Sequence, residues 1–243
     1  MKKYILFLVV FSTHFLFAQT PEQQIADRMN YVFAQLNLSN VPTGLLSNYG
    51  IQPIELEYYN GVPADSNYIE VNSYKQLYAG LYSSKVNNMV SLAYPIDYAQ
   101  QIDNFTYIGA TPVAIMHFAY NRLKDNAVEL GLVTVVNDQI KQVNGAASPY
   151  ETRDLFAAAP KETVFNGGIA KFIFPVALRK TNVTKTVSNI QVKFDEQSNY
   201  ITTTWDVPVS KTYTSNGVKK VYFKLNYTDG SSYVSQTNII VRG

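Results

Sequence analysis

Val218–Tyr227 (VKKVYFKLNY), Thr228-Asp229-Gly230-Ser231 and Tyr233–Val241 (YVSQTNIIV) are two alternating runs separated by a turn. In the first run Val221, Phe223 and Leu225 alternate with Lys220, Tyr222 and Lys224, which is the period of a half-buried strand. Asp-Gly at the junction supplies the backbone freedom of a tight connection, so the stretch predicts a β-hairpin. Strand-like segments recur upstream at Val113–Tyr120, Leu130–Val136, Leu155–Ala159, Ile169–Val176, Ile190–Phe194 and Tyr200–Trp205. Lys124-Asp125-Asn126, Asn144-Gly145 and Gly167-Gly168 punctuate them. Short strands at this spacing predict an antiparallel sandwich over residues 110–243, with a possible internal join near 181–188.

Before residue 110 the period changes. Ile25, Met29, Val32, Phe33 and Leu36 make one apolar stripe, predicting a helix over Pro21–Leu38 capped by Thr20, with Pro21 in its first turn. Tyr74, Leu77, Tyr78, Leu81 and Tyr82 recur at helical spacing and predict a second helix at about Ser73–Val86. A third, shorter one is expected at Pro95–Ile102. Between them Pro53, Gly61, Pro63 and Asp65-Ser66-Asn67 read as loop. The fold class is therefore α+β, a helical, loop-rich and tyrosine-rich cap at 19–109 followed by the β region.

The first residues set the compartment. Lys2 and Lys3 precede an apolar run from Tyr4 to Phe17, and Ala18 offers a small residue before Gln19, the layout of a secretory signal peptide at 1–18. The run is too short for a membrane-spanning helix, so the membrane is met only during export. The expected location is the outer surface or the periplasm. Lys2 and Lys3 are the leader's only charges, so its removal takes Lys+Arg from 20 to 18 against 18 Asp+Glu, and the net charge from +2 to 0. A neutral chain without a Lys/Arg cluster is poorly suited to nucleic acid. There is no cysteine, which excludes disulfides, thiolate metal sites and a cysteine nucleophile. A disulfide-free exported chain is more at home in bacteria, so the Asn-x-Ser/Thr triplets at Asn37, Asn104, Asn182 and Asn226 are taken as chance matches.

Chemistry has few carriers. His117 is the one histidine behind the leader, and it sits in an apolar strand without a nearby G-x-S-x-G, so a packing role is expected of it. One histidine and no cysteine leave no ordinary zinc site, and no motif asks for a nucleotide; no cofactor and no metal are expected. Glu55 and Glu57 share a face if their segment is a strand, with Asp97 and Asp103 further on, but a glycosidase needs a pair at a set separation across a cleft. Asp195-Glu196 and Asp229 read as turn residues more than calcium ligands. The aromatic residues are the remaining lead. Tyr58, Tyr59, Tyr68, Tyr74, Tyr78 and Tyr82 are the candidate binding residues, expected to form an exposed patch that stacks on a glycan or anchors a protein partner.

Two resemblances sharpen this. Trp205, Lys211-Thr212-Tyr213-Thr214, Gly217, Val221–Leu225, Thr228-Asp229-Gly230 and Ile239-Ile240-Val241 resemble the PKD-like branch of immunoglobulin-like modules. In that branch a TYxxxG turn leads into a long strand and hairpin; Asp206-Val207-Pro208 replaces its usual glycine-rich turn. Val41–Leu46, Tyr49-Gly50, Asp65–Tyr68, Tyr74 and Leu77-Tyr78, with the Phe17-Ala18-Gln19 junction, resemble the leading region of large secreted, type IX secretion-associated proteins of the Bacteroidota. The resemblance implies a non-catalytic module of an exported bacterial protein, acting in adhesion, in partner or glycan binding, or as a spacer. The alternative it leaves is an accessory region of a secreted hydrolase whose catalytic domain lies beyond residue 243.

Overall fold

The computed structural model describes residues 20–243, and the expected signal peptide lies outside the described residues. Three helices come first: α1 (Pro21–Val32), α2 (Val71–Ser83) and α3 (Pro95–Asn104). The Thr20 hydroxyl caps α1 by accepting from the Gln23 N–H at 3.3 Å. The helix stops six residues before its expected end, and a turn carries Phe33 and Leu36 into the protein while Ile25 remains 45% exposed. α2 starts two residues earlier than its periodicity suggests and has no side-chain cap. Its stripe of Tyr74, Leu77, Tyr78 and Leu81 is fully buried, so tertiary packing is what holds it.

Twelve strands follow: β1 (Thr111–Leu123), β2 (Val133–Val136), β3 (Gln139–Gln142), β4 (Tyr150–Pro160), β5 (Val164–Asn166) and β6 (Ile169–Ile173), then β7 (Arg179–Thr181), β8 (Val187–Lys193), β9 (Ile201–Thr203), β10 (Val209–Thr212), β11 (Gly217–Tyr227) and β12 (Ser232–Arg242). One sheet runs β10-β6-β1-β4, with β7 also on β1, and a second runs β5-β12-β11-β8-β9. β2 and β3 form a separate hairpin whose two turn residues, Asn137 and Asp138, both have positive φ, as a two-residue primed turn requires. The expectation of a purely antiparallel region is corrected here. β6 and β7 pair with β1 in parallel, and β5 pairs with β12 in parallel. The chain reaches β1's edge twice, leaving it at Phe174 to bury that ring and returning at Arg179.

The layers follow from side-chain alternation. Val113 and Ile115 of β1 and Phe156 and Ala158 of β4 meet Val192, Val221, Phe223, Leu225, Ile239 and Val241 of the second sheet in one core. The opposite faces of the same strands (Ala114, Met116, Phe118 and Tyr120; Leu155, Ala157 and Ala159) pack against Tyr74, Leu77, Tyr78, Leu81, Tyr98 and Ile102. The protein is thus a helical layer on a sheet on a second sheet, and the core of residues 45–102 continues without a break into β1 and β4. A third, smaller cluster joins Phe33 and Leu36 to Leu132, Val133 and Tyr150.

The long β12 edge is covered. β5 pairs with its end, Val234 N–H donates to the Gly61 carbonyl at 2.8 Å, and Ile69 N–H donates to the Gln236 carbonyl at 3.0 Å, which removes an aggregation-prone edge. Gly61 has φ of 84°, and a Cβ there would lie 2.4 Å from the Tyr233 ring. Only glycine permits that approach.

Candidate functional site

The six tyrosines do not come together as an exposed patch. Tyr74, Tyr78 and Tyr59 are buried, Tyr68 and Tyr82 are half-buried, and only Tyr58 is well exposed. The reason lies in helix geometry: the residues that make α2 periodic are the ones it must bury. Tyr74 Oη and Tyr98 Oη share a hydrogen bond of 2.8 Å, Tyr98 Oη donates to the Leu178 carbonyl at 3.0 Å, and Tyr78 Oη donates to the Ala93 carbonyl at 3.0 Å. These hydroxyls satisfy the core. Burial raises the Tyr74 hydroxyl well above its ordinary value and pushes Tyr78 up to about 12. Tyr68 lies beneath the Lys220 ammonium at 5.7 Å, and Tyr82 meets Tyr94 edge-on at 5.7 Å.

His117 faces the second sheet and is 1% exposed. Its Nδ1 shares a hydrogen bond with the Tyr227 hydroxyl, and its ring packs 4.1 Å from that of Tyr233. Burial pushes the Tyr227 hydroxyl up to about 12, so it stays protonated and bonds Nδ1 as a neutral phenol. The other ring nitrogen, Nε2, lies 3.6 Å from Asp154 Oδ1. Asp154 also accepts from Tyr233 Oη at 2.8 Å. The His117 ring, and then the Tyr233 hydroxyl acting against the cost of burial, hold the Asp154 carboxyl below its ordinary value. Among the described residues no serine or threonine hydroxyl hydrogen-bonds to the ring, and the group joins the two sheets.

Several of the other carboxylates are paired with lysine or arginine. Residues 56–58 form a 3-10 turn inside the loop expected there, so the condition for Glu55 and Glu57 to share a strand face is not met. Glu57 instead pairs with Arg122 at 3.1 Å and Arg153 at 3.7 Å, while Arg153 also holds Glu151 at 2.7 Å. Two shallow grooves of about 280 and 260 Å³ flank this network, and ion pairs occupy their charges. Asp103 is paired with Lys75, Asp195 with Lys211, Glu196 with Lys220 and Asp229 with Lys185. Among the described residues no three histidine or acidic side chains are grouped to hold a metal ion.

A cleft of about 680 Å³ lies elsewhere, at one end of the first sheet. Ala170 and Phe172 of β6 point into the inter-sheet core, so Ile169 and Lys171 point the other way, and Ser210 of β10 stands directly opposite Lys171. The wall is the loop from Phe105 to Ala110, which joins α3 to β1, together with Thr111, Pro112, Lys161, Glu162 and Phe165. Lys161 fixes that wall. Its ammonium donates to the Asp103 carbonyl at 2.6 Å and to the Phe105 carbonyl at 3.0 Å, as a cation at a helix C-terminus does. Phe105 and Tyr107 bring aromatic rings to the cleft, and Thr106, Thr111 and Ser210 bring hydroxyls.

No family model matches the chain, and no curated protein matches it. The cleft therefore has to be understood from its own chemistry. Sequence reasoning did not find it, because its residues come from the α3–β1 loop, β1, the β4–β5 connection, β5, β6 and β10. The local signal available was the pair of aromatics, Phe105 and Tyr107, just before the breaker Gly109.

Proposed function

We propose that the chain is a non-catalytic binding module of an exported bacterial protein of the Bacteroidota, acting at the outer surface or in the periplasm in adhesion or glycan recognition. One observation carries the reading: the lining of the 680 Å³ cleft, which includes two lysines, the hydroxyl residues Thr106, Thr111 and Ser210, the aromatic residues Phe105, Tyr107 and Phe165, and one carboxylate residue, Glu162. The volume falls in the range of about 300–1,000 Å³ typical of small-ligand sites. Glycoside hydrolysis needs a second carboxylate across the cleft from the first, and Glu162 is the one carboxylate residue of the lining.

The immunoglobulin-like, PKD-like reading of the second sheet is part of this proposal. Its supports are the Thr212-Tyr213 turn, with Tyr213 Oη donating to the Phe194 carbonyl at 2.6 Å, and Gly217 opening the long β11 strand at φ of 112°. Asp206, at φ of 59°, takes the left-handed position that a glycine fills in that family's turn. The test is direct. Residues 19–243, run through gels containing insoluble or soluble polysaccharides, should be retarded by at least one of them and release no reducing ends from any. Reducing ends released by the wild type and lost in Glu162→Gln would show an enzyme and end the reading.

A further inference from the structure

We infer that the cleft between the α3–β1 loop and the β6–β10 pair binds a saccharide carrying a carboxylate, an acidic sugar unit held by Lys171. This deepens the binding reading above and rests on it. Lys171 is half-buried on the cleft floor, and among the described residues no acceptor or carboxylate pairs with its ammonium. Lys75, Lys185, Lys211 and Lys220 are each paired with a carboxylate, and Lys171 is among the lysines that are not. Its ammonium keeps three donors that an anion in the cleft can accept from. The second cation of the cleft is used differently. Lys161 spends two of its donors on the carbonyls of Asp103 and Phe105 and so shapes the wall, while its charge still adds to the field felt by an anion. With Glu162 the lining carries two positive charges and one negative.

The rest of the lining suits a sugar more than a bare anion or a peptide. Sugar rings present an apolar face that stacks on aromatic side chains, and a rim of hydroxyls that each donate and accept. Tyr107, 43% exposed, stands at the lip beside Phe105. The hydroxyls of Thr106, Thr111 and Ser210 make no hydrogen bond among the described residues, and Glu162 offers acceptors without a donor partner there. The polar groups counted here are side chains; β6 pairs with β10 over Ile169–Phe172 and with β1 at Phe172 and Ile173, and an anionic peptide is an outcome that the titration below separates.

Calorimetric titration of residues 19–243 separates the possibilities. Tri-galacturonate should bind, Lys171→Ala should weaken it at least tenfold, Tyr107→Ala severalfold, and Lys171→Arg should retain most of the affinity. Both sites of substitution are at least partly exposed, so circular dichroism and the unfolding midpoint should stay as in the wild type. Neutral cellotriose, tri-glutamate and inorganic phosphate should each bind at least tenfold more weakly. Cellotriose binding as tightly as tri-galacturonate would overturn the acidic-sugar inference and leave the cleft a saccharide site. Tri-glutamate or phosphate binding as tightly would overturn the sugar. Tri-galacturonate binding unchanged by Lys171→Ala would overturn the site, and failure of both trisaccharides to bind would overturn the binding reading of the cleft as well.

Discussion

β1 and β4 have two faces, and the cores on those faces are built differently. Between the sheets the contacts are between rings and branched aliphatics: Phe223 meets Phe172 at 5.2 Å and Phe174 at 5.6 Å edge-on, and Phe172 stacks on Phe194 at 5.7 Å. Under the helices the large side chains are tyrosines whose hydroxyls hydrogen-bond to one another and to loop carbonyls. The first core is mostly apolar and shape-dependent, with the His117–Tyr227 hydrogen bond as a polar exception. The second is partly polar, and its specificity comes from hydroxyls that must find partners. A helix packed by short connections leaves carbonyls such as those of Ala93 and Leu178 facing inward, and tyrosine reaches them.

Truncation should hit the inter-sheet core hardest. Phe223→Ala removes the ring that both Phe172 and Phe174 pack on, and should cost about 3–5 kcal/mol, measured as a fall in the urea midpoint. A loss below about 1 kcal/mol would mean the two sheets do not share the core described. On the helical side the informative change is smaller: Tyr98→Phe keeps the ring but leaves Tyr74 Oη and the Leu178 carbonyl short of a partner. About 1–3 kcal/mol is expected. If Tyr98→Phe is neutral while Phe223→Ala is not, the polar character of the helical-side core is incidental.

A third change probes the strap where the sheets meet. Lys211 of β10 bonds Asp195, which follows β8 in the other sheet, at 2.7 Å. Burial alone would raise the Asp195 carboxyl, but hydrogen bonds from Lys211, Ser198 and the Gln197 N–H outweigh it and hold it at about 2. Because the folded value is depressed below the ordinary ~3.9, the stabilisation is present above about pH 4 and lost as pH falls toward 2. Wild-type protein should therefore lose about 1–2 kcal/mol more than Asp195→Asn across that window. Parallel stability curves for the two proteins would remove the strap from the account.

The same contrast explains what could be foreseen. β11 is buried at every second residue, from Val221 through Tyr227, and so its period was legible. β1 is buried at eight consecutive residues because helices cover one face and a sheet the other. Its strand composition could be recognised, but nothing local says that both faces are covered, or that β6 and β7 would join it in parallel. β3, β5, β7 and β10 were missed because each is three or four residues long and takes its conformation from a neighbour. The Asn137-Asp138 turn that makes β3 a hairpin partner was visible in the sequence. For the tyrosines, helical spacing located α2 correctly, and the same spacing was the sign that they face inward.

The smallest effect should have the opposite sign. Gly80 lies in α2 on the buried side, where packing rather than helix propensity sets the sequence. A Cβ there would stand 3.6 Å from Gln52 Cα, from the Ile51 carbonyl oxygen and from Pro53 Cδ, all ordinary contact distances. The Gly80 carbonyl already accepts from the Ser83 and Ser84 hydroxyls at 2.9 Å each, and a methyl group on the α-carbon leaves both bonds in place. Alanine is favoured over glycine in a helix interior by about 0.8–1.0 kcal/mol. Gly80→Ala should then leave the urea midpoint unchanged or raise it by up to that amount. Gly61→Ala, placed against Tyr233 at positive φ, should lower it. If Gly80→Ala lowers the midpoint by more than about 1 kcal/mol, the 51–53 segment grips α2 more tightly than these distances allow, and the helical-side core is as intolerant of added volume as the core between the sheets.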